Sequence, residues 1–238
     1  MIPASLVDFQ NFFPLGVIAF VSDRSVDFAL EKSDAVLTRK QRDLLSSPCG
    51  MPVRQLRNIK QVHGRRVIFI SRKSLFNPRR PKKADGVLTA ESNVPLTVRT
   101  ADCLSIFIYD KKHKVIGLVH AGWKGTRKRI IARALELMKL KWGTNPKDLL
   151  VAFGPSIKKC CYQVGKKFER IFPNEIQCRK EGLYLDLPVV NKRQLLKAGV
   201  AKRNIFDCGI CTHCQPRCFS FRKEGAKAGR MISVMMLR

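Results

Sequence analysis

The sequence predicts an α+β fold: a single domain in which mixed β-sheets are flanked by helices. Three observations predict it. Short apolar runs rich in β-branched residues recur without a strict βαβ rhythm. One strongly periodic amphipathic stretch interrupts them at Thr126 to Trp142. No Pro-, Gly- or Ser-rich linker divides the 238 residues, so residues 1–238 read as one domain, long enough for a large core.

Taken in order, Gly16 to Val21 reads as a strand and Ser33 to Leu45 as a charged helix. Val67 to Ile70, Gly86 to Leu88, Leu96 to Val98, Ile106 to Tyr109 and Val115 to Val119 are apolar runs bounded by polar or turn residues, as strands are. Between the first two of these, Asn77 to Lys83 carries two prolines and four basic residues and reads as an exposed loop. In the helix from Thr126 to Trp142, Ile130, Ala134, Met138 and Trp142 recur at four-residue steps and form one stripe; Thr126 is its expected cap and Gly143 its stop. Val164 to Ile171 and Val189 to Ala198 read as two further helices, the second ended by Gly199. Met231 to Leu237 is apolar enough for a buried closing strand.

Charge is lopsided. There are 46 Lys+Arg against 18 Asp+Glu, a formal net charge of +28. Such a field attracts nucleic acid, anionic lipid or phosphorylated small molecules. The basic residues are dispersed, however: Arg65 and Arg66, Arg79 to Lys83, Lys111 to Lys114, Lys124 to Arg129, Arg222 and Lys223. A solvated basic surface is favoured, and nucleic-acid binding stays open as an alternative. No stretch reaches the roughly 18 to 20 apolar residues of a membrane span. Phe13 to Val21 is apolar but short, with no basic region before it, which argues against a secretory signal. Nine cysteines, an odd set with Cys160 and Cys161 adjacent, fit a reducing cytoplasmic compartment better than a disulfide scaffold.

The chemistry concentrates in three places. His63 lies in Lys60-Gln61-Val62-His63-Gly64, just before a strand. Cys103 lies in Thr100-Ala101-Asp102-Cys103, between two strands. His120 opens His120-Ala121-Gly122-Trp123-Lys124-Gly125, where a buried strand gives way to a helix. Strand ends and turns are where a rigid scaffold presents functional side chains. Two imidazoles and a thiolate suit zinc, and also copper. Three protein ligands leave a fourth position for water or substrate, as at catalytic zinc, where bound water loses a proton near neutral pH. The competing reading is three unrelated residues, with Cys103 a small buried apolar group.

The motifs Gln61 to Gly64, Ala84-Asp85-Gly86-Val87, Thr100 to Cys103 and His120 to Gly125 occur in that order. Phe153-Gly154-Pro155-Ser156-Ile157, Cys161-Tyr162-Gln163-Val164-Gly165, Leu185-Asp186-Leu187, Cys211-Thr212 and Phe219-Ser220-Phe221-Arg222 follow. This ordered set resembles the bacterial laccase-domain family, also called the polyphenol-oxidase or YfiH-like family, over about residues 58 to 238. The resemblance implies a purine nucleoside phosphorylase acting on adenosine, inosine and S-methyl-5′-thioadenosine, with adenosine deaminase activity. It implies zinc, with copper linked to a polyphenol-oxidase assignment, and His63, Cys103 and His120 as ligands and catalytic residues. Purine nucleosides and phosphate are the implied partners.

Two neighbours are added from the residues themselves. Lys124, at the turn from Gly122 to Gly125, is a candidate phosphate ligand, helped by amides leading into the helix near Thr126; an exposed surface lysine is the alternative. Asp102 either orients a ligand or accepts a proton, or is a turn carboxylate.

Two departures matter. Residues 1–57 diverge: the family's early Thr-Arg-x-Gly-Gly loop is replaced by Ala19 to Val26, without paired glycines, and Arg24 is the nearest candidate for its arginine. Cys208-x2-Cys211-x2-Cys214-x3-Cys218 has the spacing of a ferredoxin run, without its terminal proline, and raises a second metal site of iron–sulfur or zinc type. Its alternative is a set of reduced thiols. Cys49, Cys160 and Cys178 have no partner at ligand spacing, and His113 reads as a solvated turn residue. Competing functions are a copper-linked phenol oxidase, a nucleic-acid-binding protein on this scaffold, and a thiol hydrolase with Cys103 as nucleophile and His120 as base.

Overall fold

The computed structural model of the protein describes residues 5–29, 37–46, 59–72 and 81–238. Thirteen strands and six α-helices lie among them, with three short 3-10 helices. A four-stranded sheet is built from β1 (Ser5–Asp8), β2 (Val17–Ser22), β5 (Leu96–Thr100) and β13 (Met231–Leu237), in the order β1-β2-β13-β5. A six-stranded sheet has the order β12-β8-β6-β7-β4-β3: Ile205–Asp207, Leu149–Phe153, Leu104–Asp110, Val115–Ala121, Gly86–Thr89 and Val67–Phe69. It is mixed, with β12 parallel to β8, β3 parallel to β4, and the other pairs antiparallel. Three short strands, β9 (Gln163–Val164), β10 (Ile176–Arg179) and β11 (Gly182–Leu185), make a small antiparallel sheet. The helices are α1 (Arg39–Ser46), α2 (Trp123–Arg127), α3 (Ile130–Trp142), α4 (Lys167–Ile171), α5 (Leu187–Lys197) and α6 (Phe221–Glu224). The α+β expectation holds.

Strand alternation dictates the layering. On β13, Met231 and Met235 face the six-stranded sheet, meeting Phe107 and Leu118, whereas Ile232, Val234 and Met236 face away and pack with Leu44 and Leu45 of α1. On β6, Phe107 and Tyr109 join the layer between the sheets, while Leu104, Ile106 and Ile108 face Ile130, Ala134 and Met138 of α3. The order is therefore α1, four-stranded sheet, six-stranded sheet, α3 with α5. Full burial of β6, β7 and β13 explains why they read as continuous apolar runs.

The elements expected at Gly16 to Val21, in the five runs from Val67 to Val119, and at Met231 to Leu237 are all strands, shifted at their ends by a few residues. The helix expected over Thr126 to Trp142 is two helices. Arg129 breaks it with a left-handed φ of 58°. Thr126 is not a cap but a buried residue of α2, whose N-cap is Gly122. Asn191 of α5 donates to Thr126 Oγ1 (3.1 Å), and Gln194 donates to the Thr126 carbonyl (2.9 Å). The Arg129 amide also uses that carbonyl, which a continuous helix would offer to Ile130. Gly143 does stop α3, at φ 68°. The helix expected over Val164 to Ile171 begins only at Lys167, because Gln163 and Val164 pair with β11. Of the charged helix at Ser33 to Leu45, α1 supplies Arg39 onward, and residues 33–36 lie outside the described residues; so do Cys49 and residues 77–80 of the proline-containing loop. No described helix is long and apolar enough to cross a membrane.

Candidate metal centre

Three separate segments deliver His63, Cys103 and His120 to one point. His120 is the penultimate residue of β7, on the face that carries Ile116 and Leu118 into the layer between the sheets, and it is 3% exposed. Cys103 sits in the turn between β5 and β6, half-buried. His63 is exposed, in the segment entering β3. The ligand atoms of all three lie within 4.8 Å of one another, with Cys103 Sγ 3.9 Å from His63 Nε2. The imidazoles meet edge to face, 4.8 Å between centroids. Gly122 makes the approach feasible: a Cβ there would stand 2.9 Å from Cys103 Sγ and 3.1 Å from His63 Cδ2.

The residue that organises this group is Asp85, which precedes β4 and is fully buried. Its Oδ1 accepts from His120 Nδ1 at 2.9 Å and from the His63 amide at 2.9 Å; Oδ2 accepts from the Gly64 amide at 2.7 Å; the Val62 amide lies 3.2 Å from Oδ1. Three successive amides thus converge on one carboxylate, holding His63 at φ 55°, a left-handed backbone that costs about 1–3 kcal/mol for a non-glycine residue. The Nδ1 contact fixes the His120 tautomer and turns Nε2 toward Cys103 and His63. Burial raises the Asp85 carboxyl, but the His120 contact and the amides outweigh it and keep it below its usual value. Sequence reading placed Asp85 in a motif without giving it a role. The available signal was an acid, rare in this chain, fixed between Ala84 and Gly86 at a strand start.

The group is electrostatically primed. Burial raises the Cys103 thiol, but the charge and hydrogen bond of His120, then those of His63, bring it down to about 6. Burial lowers His120, but the Cys103 thiolate and Asp85 carry it up to about 9. In metal-free protein Cys103 is therefore mostly thiolate at neutral pH, which lies above its pKa. Alkylation of Cys103 by iodoacetamide, followed by peptide mapping, is expected to reach half its plateau rate near pH 6 and to be suppressed by zinc. A half-point near the ordinary thiol value of about 8.5 would contradict this pairing.

The group lies in a cleft of about 640 Å³. Trp123, Tyr162 and Phe221 give it aromatic walls; Lys60, Arg99, Lys124, Arg222 and Arg230 give it positive charge. Lys124 reaches the cleft with Nζ 5.6 Å from the Trp123 ring centroid, and no carboxylate pairs with it among the described residues. The helix starts at Trp123 rather than near Thr126, with Gly122 as its N-cap, and the first amide to close it is that of Thr126, on the Gly122 carbonyl at 2.8 Å. Asp102 also lines the cleft, but both its oxygens are occupied: Thr212 Oγ1 donates to Oδ1 and the Arg222 amide to Oδ2, each at 2.6 Å. It ties the Cys103 turn, φ 84° at Asp102, to the C-terminal segment. Arg222 is committed too, donating to the Gln163 carbonyl at 2.9 Å beside Tyr162.

Arg24 pairs with Glu224 at 3.1 Å and does not line the cleft. His113 is a turn residue against Asp110 (2.9 Å). The ferredoxin-like run does not gather. Cys218 is buried in the layer between the sheets and Cys208 packs against that layer, whereas Cys211 and Cys214 gather with Cys160 and Cys161.

Residues 22–238 match the family described as multi-copper polyphenol oxidoreductase laccase. Purine nucleoside phosphorylase YlmD of Bacillus subtilis is 36% identical over 166 residues, which are 66% of this chain and 60% of that protein. The chain thus spans about 60% of the length of that relative. A purine nucleoside phosphorylase of Aquifex aeolicus is also 36% identical, over 66% of this chain and 73% of its own. Among solved structures, YlmD from Geobacillus stearothermophilus superposes with a TM-score of 0.85 at 26% identity, covering 96% of this chain and 94% of that one. The hypothetical protein YfiH of Bacillus licheniformis gives 0.83 at 26% identity, covering 93% of each. The family match spans the whole six-stranded sheet and all three members of the His/Cys/His group, leaving out β1 and all but the last residue of β2, and the chain belongs to the multi-copper polyphenol oxidoreductase laccase family.

Proposed function

We propose that the chain is a purine nucleoside phosphorylase acting on adenosine, inosine and S-methyl-5′-thioadenosine, and that it also deaminates adenosine, at a mononuclear site held by His63, Cys103 and His120. One observation carries the reading: an open three-ligand group shares a cleft with three aromatic rings and five cationic side chains. Aromatic faces suit a purine, and cations suit phosphate. The single carboxylate lining the cleft, Asp102, has both oxygens taken up by donors, the Thr212 hydroxyl and the Arg222 amide. Two relatives that carry the name purine nucleoside phosphorylase support the same reading.

The donor set, two imidazoles and one thiolate, fits zinc. Zinc bound there supplies Lewis acidity and acidifies water toward neutral pH, which suits attack on the purine amidine carbon in deamination. In phosphorolysis the C1′–N9 bond breaks, a C1′–O bond to phosphate forms, and the departing purine takes a proton. Lys124 holds phosphate, the aromatic walls orient the base, and Asp85 keeps His120 in one tautomer throughout. Asp102 acts as a positioning residue for Cys103. Copper fits the same donors, but four-electron oxygen reduction needs more redox centres than one His/Cys/His group provides.

Incubation with inosine or adenosine, with and without phosphate, tests the proposal. Base release requiring phosphate, with ribose 1-phosphate as coproduct, is expected, together with phosphate-independent conversion of adenosine to inosine. Base release at the same rate without phosphate, or oxygen uptake with phenols in place of base release, would overturn it.

A further inference from the structure

Away from the cleft, four cysteines that no sequence spacing joins come together. Cys160 and Cys161 lie in a turn after β8, where the Cys161 amide donates to the Lys158 carbonyl at 3.0 Å. Cys211 and Cys214 lie in a second turn, closed by the Gln215 amide on the Cys211 carbonyl at 3.0 Å. Backbone pairing already fixes the two turns to each other: Ser156 donates to the Ile210 carbonyl (3.3 Å) and Thr212 to the Ser156 carbonyl (3.2 Å). All four sulfurs lie within 4.8 Å of one another, with Cys161–Cys214 at 3.3 Å and Cys160–Cys214 at 3.9 Å.

Four thiolates bound tetrahedrally at about 2.3 Å from zinc stand about 3.8 Å apart. The cage has that scale. An iron–sulfur cubane inserts several atoms between its thiolates and needs a much wider one. Amide N–H groups of Lys158, Cys214 and His213 face the Cys211 sulfur. Amide-to-sulfur bonds favour thiolate over thiol. Lys159 adjoins the turn beside the cysteines, while Lys158 is held by Asp207 at 2.7 Å.

We infer that Cys160, Cys161, Cys211 and Cys214 form a second, structural metal site that binds one zinc ion through four sulfurs. The ion staples two walls of the cleft. Ile157 and Tyr162 flank one cysteine pair, and the other pair leads to Phe221 and Arg222. Thr212, beside Cys211, holds Asp102 next to Cys103. All four ligands come from closed turns, leaving no position for substrate, unlike the three-ligand group. This inference does not depend on the nucleoside reading.

The test uses the full chain carrying His63→Ala and His120→Ala, which empties the first site. About one zinc per chain is expected to remain. Zinc-edge absorption is expected to show a shell of sulfur only, and cobalt exchange the intense visible bands of a tetrahedral thiolate complex. Adding Cys160→Ser and Cys214→Ser is expected to remove that ion, whereas Cys208→Ser and Cys218→Ser, the remainder of the ferredoxin-like run, is expected to keep it. The cobalt spectrum is read without altering any cysteine, so misfolding of the serine variants does not blunt the test. Absence of zinc with four free thiols, a Cys161–Cys214 disulfide, or iron with acid-labile sulfide would each overturn the inference.

Discussion

Replacing His120 with alanine is expected to strip metal from the cleft and to lower kcat/KM for nucleoside phosphorolysis by about 10³-fold or more. The magnitude follows from removing a Lewis acid worth several kcal/mol, at tenfold per 1.4 kcal/mol. Alanine at His63 or Cys103 is expected to do the same, because each supplies one of only three ligands. Metal content and phosphate-dependent base release are measured on the same preparations, with circular dichroism to show that the fold persists. The comparison separates the metal reading from a thiol hydrolase. Chelation silences a metal enzyme, whereas a Cys103 nucleophile with His120 as base keeps working without metal. Phosphorolysis that survives all three replacements would remove the group from the reaction.

The second large effect is expected at Asp85, which touches neither metal nor substrate in the proposed site. Asp85→Asn keeps the size but replaces one acceptor oxygen with an N–H2 donor. That donor would face either the His120 Nδ1–H or the amides of Val62, His63 and Gly64. Loss of such an outer partner typically weakens metal binding about 10–100-fold. Breaking a buried charged contact costs about 3–5 kcal/mol of stability. The pH dependence has a definite sign. The folded carboxyl of Asp85 titrates below its unfolded value, so its stabilisation is present above the unfolded pKa and fades as pH falls through the folded one. Denaturant titrations of the two proteins are expected to differ most at neutral pH and to converge in acid. Equal stability and equal zinc affinity at pH 7 would show that the amide cluster holds His63 without the carboxylate.

The juxtaposition of His63, Cys103 and His120 was readable because its members are scarce and oddly placed: two of only four histidines, and a cysteine beside an aspartate, each at a strand end. Asp85 was not, because its partner is 35 residues away and nothing in either motif announces a contact across β4 and β7. The cysteines misled for a related reason. A one-dimensional spacing favoured Cys208 through Cys218, whereas chain reversal after β8 brought Cys160 and Cys161 to Cys211 and Cys214, about 50 residues on. Strands of the buried sheet were legible from apolar runs, but β8 and β12 passed unread. The break at Arg129 was invisible locally, since the competition for the Thr126 carbonyl comes from α5, far along the chain.

Titrating metal-free protein with zinc while following phosphate-dependent cleavage of inosine tests the central claim most directly. The wild type is expected to start inactive and rise to a plateau as the His63, Cys103 and His120 group fills. The His120→Ala protein is expected to stay at baseline even as the four-thiol cage takes up zinc. Full activity in the metal-free protein, or restoration of the His120→Ala variant by zinc, would contradict it.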